Sequence, residues 1–171
     1  YGSKTVVSGA GFLLNNEMDD FSVKPGVPNM YGALGNDANA IEPGKRMLSS
    51  MTPTLVLKNN DPYLVLGTPG GTTIPTSVFQ TLVNIMDFGL STSDAVNMPK
   101  FHHQWMPDEL FVEKDFPAAV TDSLKAMGYI ISPRGNIGRT EVIKIEKDKT
   151  GKGYRFEAIA DKRGDDSAEG Y

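Results

Sequence analysis

Apolar residues are spaced unevenly along the chain, and their period changes from segment to segment. Thr54-Leu55-Val56-Leu57-Lys58 and Tyr63-Leu64-Val65-Leu66 are short apolar runs separated by the turn cluster Asn59-Asn60-Asp61-Pro62. That pattern predicts a buried β-hairpin, which exits through Gly67-Thr68-Pro69-Gly70-Gly71. From Pro75 onward Val78, Phe79, Leu82, Val83, Ile85 and Met86 recur at helical spacing, with Gly89 as the stop, so a helix with a broad apolar face is expected. Ser91 followed by Asp94 is a capping-box-like start for a second helix, which must end by Met98 because Pro99 disfavours a helical residue before it. Residues 101–114 read as an extended arm entering a strand. Pro117 opens a third helix with Val120, Leu124 and Met127 on one stripe and Gly128 as its cap, and Tyr129-Ile130-Ile131 follows as a strand. Residues 141–146 and 154–160 alternate around the charged stretch 147–153, a second hairpin with an exposed tip.

Residues 1–50 differ, being rich in Gly, Asn, Asp and Pro, as in Gly9-Ala10-Gly11, Asn15-Asn16 and Glu42-Pro43-Gly44. They read as loop broken by short strands. Structureless loops longer than about 12–15 residues are uncommon in compact domains unless they are functional or covered by a partner. A poorly ordered arm is the competing reading, and Phe12, Leu13, Leu14, Met18 and Phe21 argue against it because they need burial. Strands at both ends with helices between them give an α+β class and a single domain over residues 1–171, with no internal repeat.

Composition narrows the function. A chain of 171 residues, 39% hydrophobic and 22% charged, can bury a real core. Lys+Arg 17 against Asp+Glu 21 leaves a net charge of -4, which offers no electrostatic footprint for nucleic acid or an anionic membrane. No apolar run has the length of a membrane span. The start, Tyr1-Gly2-Ser3-Lys4, has neither an initiator Met nor a signal-type apolar stretch, so a processed or excised piece is expected. Cys 0 excludes disulfides, thiolate zinc sites and a Cys nucleophile.

Three groups of residues could carry chemistry. Gly70 and Gly71 lie just before a predicted helix N-terminus, where free N–H groups and the helix dipole favour an anion or a developing oxyanion. The blander reading is a turn that needs positive φ, and no Lys follows at P-loop spacing. Glu17 and Asp20, three apart, could hold an ammonium; Ser49 and Ser50, after Lys45-Arg46, could donate to a carboxylate. Singly, each reads equally as loop capping or surface charge. Together they are what a site needs to hold an α-amino acid head and cleave an acyl bond along its side chain. His102-His103 has no third ligand at metal spacing and reads as structural, no metal site is expected, and the scattered Met residues read as core. No Ser-His-Asp arrangement is legible.

The motifs Gly11-Phe12-Leu13-Leu14-Asn15-Asn16-Glu17-Met18-Asp19-Asp20-Phe21, Lys24-Pro25-Gly26-Val27-Pro28-Asn29, Lys45-Arg46-Met47-Leu48-Ser49-Ser50-Met51-Thr52-Pro53-Thr54, Gly67-Thr68-Pro69-Gly70-Gly71 and Phe101-His102-His103-Gln104-Trp105 stand in this order. On them, from Tyr1 to Tyr171, the chain resembles the small, C-terminal subunit of γ-glutamyltransferases, also called γ-glutamyltranspeptidases. The resemblance implies a four-layer αββα N-terminal nucleophile hydrolase fold, made with a large subunit from the same self-cleaving precursor. It also implies attack by an N-terminal Thr, whose own amine is the base, on glutathione and other γ-glutamyl amides, with transfer to water or to amino acid and peptide acceptors. Carried over by motif, Glu17 and Asp20 would bind the substrate ammonium, Ser49 and Ser50 its carboxylate, and Gly70 and Gly71 would form the oxyanion hole. No metal or organic cofactor is implied, and the expected location is periplasmic or secreted. Related members act on poly-γ-glutamate or acylated β-lactam nuclei, and a non-catalytic module binding glutamate-like ligands is the alternative from another class.

The nucleophilic Thr, a second Thr and an ammonium-binding Asn of the family pattern fall upstream of Tyr1, and Thr5 is not in the nucleophile's place. The stretch taken alone is therefore expected to be inactive. An unpaired sheet edge where the upstream strands belong leads to the expectation that it self-associates or orders only partly over residues 1–50. Thr68 stands where Ser is common and Glu141 where Gln is common, and neither change has a functional reading.

Overall fold

The structure, a computed structural model, describes residues 2–170; Tyr1 and Tyr171, the two ends of the resemblance, lie outside the described residues. Two compact units divide the chain, Tyr1–Ser50 and Met51–Tyr171.

The first unit is held by turns rather than by named strands. Gly9 and Gly11, both at positive φ, fold back a loop in which Val6 bridges Leu13 and the Leu14 N–H donates to the Thr5 carbonyl at 2.9 Å. A 3-10 turn spans Glu17–Asp20 and a second spans Asp37–Asn39, whose N-cap Asn36 accepts from the Ala38 N–H. The two come together where Ser22 bridges Ala40 and Phe21 is buried. The expectation that all of this segment's large apolar residues find cover is not met within the chain. Phe12, Leu13, Leu14 and Met18 stay exposed, because a turn-built unit this short has no sheet or helix face to receive them.

Among the described residues the second unit has two sheets and three α-helices. One sheet, all antiparallel, runs in the order β1 (Thr54–Lys58), β2 (Asp61–Gly67), β6 (Glu141–Lys147), β7 (Tyr154–Ile159). The other joins β3 (Phe101–His102), β4 (Leu110–Val112) and β5 (Ile131–Pro133), with β4 and β5 parallel. The first hairpin turns through Asn59 and Asn60 alone, both at positive φ, as a tight two-residue turn demands, so Pro62 falls inside β2. A register shift between Val56 and Leu57 absorbs the extra residue.

The hairpin is only half buried, which corrects the sequence reading. Leu64, Leu66 and Val142 face the core, where Val78 and Ile85 of α1 (Ile74–Met86) and Ala95 and Val96 of α2 (Thr92–Asn97) pack on them. The strands' period of two sends Leu55, Val65, Ile143 and Ala158, aligned across all four strands, to the opposite face, where Leu55 is 76% exposed. Helix α1 starts with Ile74 and Pro75 in its first turn, as expected, but its core stripe is Ile74, Val78 and Ile85 with Ser77 and Thr81 also buried. Phe79 and Met86, counted in the apolar face from sequence, sit exposed on the other side. Helix α2 begins on the Ser91 cap, whose Oγ accepts from the Asp94 N–H at 3.0 Å, and stops at Met98, extended before Pro99. Helix α3 (Ala118–Ala126) forms after Pro117, yet buries none of its own residues, and β5 begins only at Ile131.

Candidate active site

Gly70 and Gly71 open a 3-10 turn, Gly71–Thr73, that runs into α1. Their φ values of 149° and 58° are ones that L side chains rarely adopt. A Cβ on Gly70 would also collide with Thr73 Oγ1 and come within 3.5 Å of Gly138 Cα. The first N–H groups of a helical turn have no intrahelical acceptor, and both glycines stand at that position with the helix dipole behind them. Thr73 closes the turn, its N–H and Oγ1 both donating to the Gly70 carbonyl at 3.1 and 2.9 Å.

A strap of residues 137–140 braces this turn. Gly138, φ 70°, runs so close to Ser77 and Thr68 that a Cβ would meet their hydroxyls at 2.6 and 2.9 Å. Thr68 Oγ1 accepts from the Arg139 N–H at 2.7 Å and donates to the Pro69 carbonyl at 2.8 Å, tying the strap to the residue before Gly70. Beside it, Thr72 Oγ1 donates to Gln104 Oε1 at 2.7 Å, and the same oxygen faces His102 Nε2 at 2.9 Å. His102 Nδ1 lies 2.9 Å from Thr76 Oγ1. Since Gln104 Oε1 can only accept, Nε2 carries a proton, while the Thr76 hydroxyl, with one proton, lies within reach of both Nδ1 and the Thr73 carbonyl at 3.0 Å. Burial lowers the imidazole pKa, which favours the neutral form. His102 is thus a buried structural residue, and His103 turns to Asp108 instead, 3.0 Å away.

The strap is anchored in a buried group of four charges that the sequence reading missed. Glu113 Oε1 accepts from the Ile137 N–H at 2.7 Å and Asp161 Oδ2 from the Thr140 N–H at 2.8 Å, one at each end of the strap. Arg163 donates through Nε and Nη2 to the two oxygens of Glu113 and through Nη1 to Asp161. Lys100, 2% exposed, donates from Nζ to the Val96 carbonyl at 2.7 Å and lies 3.7 Å from Asp161 Oδ2. Burial, with Arg163 nearby, lowers the Lys100 pKa to about 8. For Glu113 burial pushes the pKa up, but hydrogen bonds from Arg163, Ile137 and Lys100 outweigh it, and the net direction is down. Only Asp161 and Arg163 are near neighbours in sequence; Lys100 and Glu113 come from far earlier in the chain, and no spacing pattern could have announced the group.

The other candidate residues lie in the first unit. Glu17 and Asp20 are the first and last residues of their 3-10 turn. Residues three apart eclipse in that geometry, so both carboxylates project from one side. Neither is paired with a basic side chain among the described residues, whereas Lys45 is engaged by Glu42 at 3.4 Å. Ser49 and Ser50 are exposed at the end of the unit. Among the described residues no cluster of three or more His, Asp or Glu could hold a metal ion, and no helix is long and apolar enough to cross a membrane.

The model of the family described as gamma-glutamyltranspeptidase matches residues 1–171. The chain belongs to the γ-glutamyltranspeptidase family. It is 47% identical over 171 residues to the glutathione hydrolase proenzyme of Escherichia coli, covering 100% of this chain and 29% of that protein. With the glutathione hydrolase proenzyme of Pseudomonas aeruginosa it shares 50% identity over 168 residues, 96% of this chain and 29% of that protein. A crystal structure of a Helicobacter pylori γ-glutamyltranspeptidase mutant superposes with a TM-score of 0.90 at 52% identity, covering 95% of this chain and 87% of that one. The chain thus has the mixed α and β fold of a γ-glutamyltranspeptidase, an N-terminal nucleophile hydrolase fold, as the resemblance implied. It spans about 29% of the length of these proenzymes.

Proposed function

We propose that the whole protein to which this chain belongs transfers the γ-glutamyl group of glutathione and other γ-glutamyl amides to water or to amino acid and peptide acceptors. The observation that carries the reading is the unneutralised carboxylate pair Glu17 and Asp20 on one side of a single turn, suited to an α-ammonium, in a chain whose relatives are glutathione hydrolase proenzymes. Ser49 and Ser50 then donate to the α-carboxylate, and the N–H groups of Gly70 and Gly71 hold the oxyanion formed when a nucleophile adds to the γ-carbonyl carbon. By resemblance the nucleophile is a Thr hydroxyl upstream of Tyr1, which passes its proton to the Thr amine and thence to the leaving amine. Water or an acceptor amine then takes the γ-glutamyl group from the ester. No step requires a metal or organic cofactor.

The chain is proposed as the C-terminal part of a small subunit, inactive by itself, which assembles with the remainder of its precursor. The apolar outer face of the four-stranded sheet, with Leu55 76% and Phe156 64% exposed, supports such cover. A periplasmic or secreted location follows from the resemblance alone. The test is a chromogenic γ-glutamyl anilide assay on the whole purified protein. Amine release that is saturable, inhibited by glutamate and weakened in KM by Asp20→Asn is expected; turnover of simple acyl anilides lacking the α-amino acid head equally well would overturn the reading.

A further inference from the structure

The four residues assigned to the substrate head sit on two separate stretches of the first unit, and the Asn39 side chain bonds to both stretches. Its Nδ2 donates to the Asp20 carbonyl at 2.7 Å, and its Oδ1 accepts from the N–H of Leu48, the residue before Ser49, at 3.0 Å. Its own carbonyl accepts from the Ser22 N–H at 2.9 Å, two residues beyond Asp20. The amide orientation is fixed by its partners, since rotation would set oxygen against oxygen at Asp20 and N–H against N–H at Leu48. Asn39 is itself placed by the 3-10 turn Asp37–Asn39, capped by Asn36, and is half-buried.

We propose that Asn39 is a positioning residue that sets the spacing between the ammonium-binding carboxylates Glu17 and Asp20 and the carboxylate-binding hydroxyls Ser49 and Ser50. An α-amino acid presents its two charges on one carbon, so the two halves of its clamp must hold a fixed separation, and the short 3-10 turn of Glu17–Asp20 does not reach the extended stretch that carries Ser49 and Ser50. A single amide that uses both of its ends supplies that constraint. Asn is suited to it because Asp lacks the donor for the Asp20 carbonyl and Ala lacks both ends.

The inference rests on the clamp reading above, and the test separates the two. In the whole protein, Asn39→Ala is expected to raise KM for a γ-glutamyl anilide about tenfold or more and to weaken inhibition by free glutamate in parallel, with kcat within about twofold. Asn39→Asp, which keeps the Leu48 end, is expected to fall between, and it carries the test if Asn39→Ala does not fold. Combined with Asp20→Asn, the Asn39→Ala effect on KM shrinks, because the group it positions is already impaired. If Asp20→Asn and Ser50→Ala raise KM but both Asn39 variants do not, Asn39 does not position the clamp. A loss of kcat or of folded protein with KM unchanged in Asn39→Asp overturns the inference as well, since it marks a merely structural role. If Asp20→Asn and Ser50→Ala leave KM unchanged in an active enzyme, it is the clamp reading that fails.

Discussion

Arg163 and Glu113 meet in a two-pronged ion pair, Nε on Oε1 at 2.7 Å and Nη2 on Oε2 at 2.6 Å, with both side chains almost entirely out of solvent. Each carboxylate oxygen also accepts a backbone N–H, from Ile137 and Lys100. Cutting one partner out leaves a buried charge and orphaned donors, a far larger penalty than loss of a surface pair. Glu113→Ala in the whole protein is expected to cost about 3–5 kcal/mol, read as a lower denaturant midpoint. The exposed pair Lys125 and Asp122, 3.9 Å apart, is the control. Its Ala variants are expected to shift stability by less than about 1 kcal/mol.

Lys100 makes a pH prediction whose sign differs from that of an ordinary lysine. Its folded pKa is lowered, to about 8, so between there and its ordinary value of 10.5 the unfolded chain binds more protons than the folded one. Stability from this group therefore rises as pH climbs through that window, and the penalty for burying the ammonium is fully present below it. Thermal unfolding of the wild type and of Lys100→Met across the alkaline range checks this. The wild type should gain in midpoint relative to Lys100→Met as pH rises through the window; a wild type that loses stability relative to Lys100→Met there would contradict it.

Local signals were legible in the sequence wherever one residue type forces one geometry. Pro75, Ser91 with Asp94, Pro99 and Gly128 marked helix ends because caps and ring constraints act over a few residues. The glycine turn was legible as a candidate for the same reason. What was not legible depends on contacts between distant parts of the chain. Nothing near Glu113 shows that Arg163 and Lys100 will close over it, and nothing in the apolar count of α1 shows that Ser77 and Thr81 are buried while Phe79 is not. Asn39 reads as one more turn residue until both ends of its amide are seen to be used.

The glycine turn separates conformational need from mere space. Gly89 also has positive φ, 65°, but an added Cβ there meets nothing within 4 Å, whereas at Gly70 it collides with Thr73 Oγ1. Gly89→Ala is expected to cost about 1–2 kcal/mol, the left-handed penalty alone, with kcat unchanged. Gly70→Ala must move the turn, and loss of one aligned oxyanion donor is expected to lower kcat about 10²-fold or more. Steady-state assays with the γ-glutamyl anilide on both variants give the comparison. Equal kcat for the two would deny Gly70 an oxyanion role.

Thr68 links the strap to that turn through one hydroxyl, accepting from the Arg139 N–H and donating to the Pro69 carbonyl. A hydroxyl is required for both bonds and the methyl for neither. Thr68→Ser is therefore expected to match the wild type in kcat and in stability, while Thr68→Val, of nearly the same shape, leaves the Arg139 N–H without its acceptor and costs about 1–3 kcal/mol. Because the strap's far ends stay fixed by Glu113 and Asp161, the damage falls on the turn, and kcat should drop while KM for the γ-glutamyl anilide holds. Measured side by side in the whole protein, a Val variant as active and stable as the Ser variant would show that the strap does not brace the glycines through this hydroxyl.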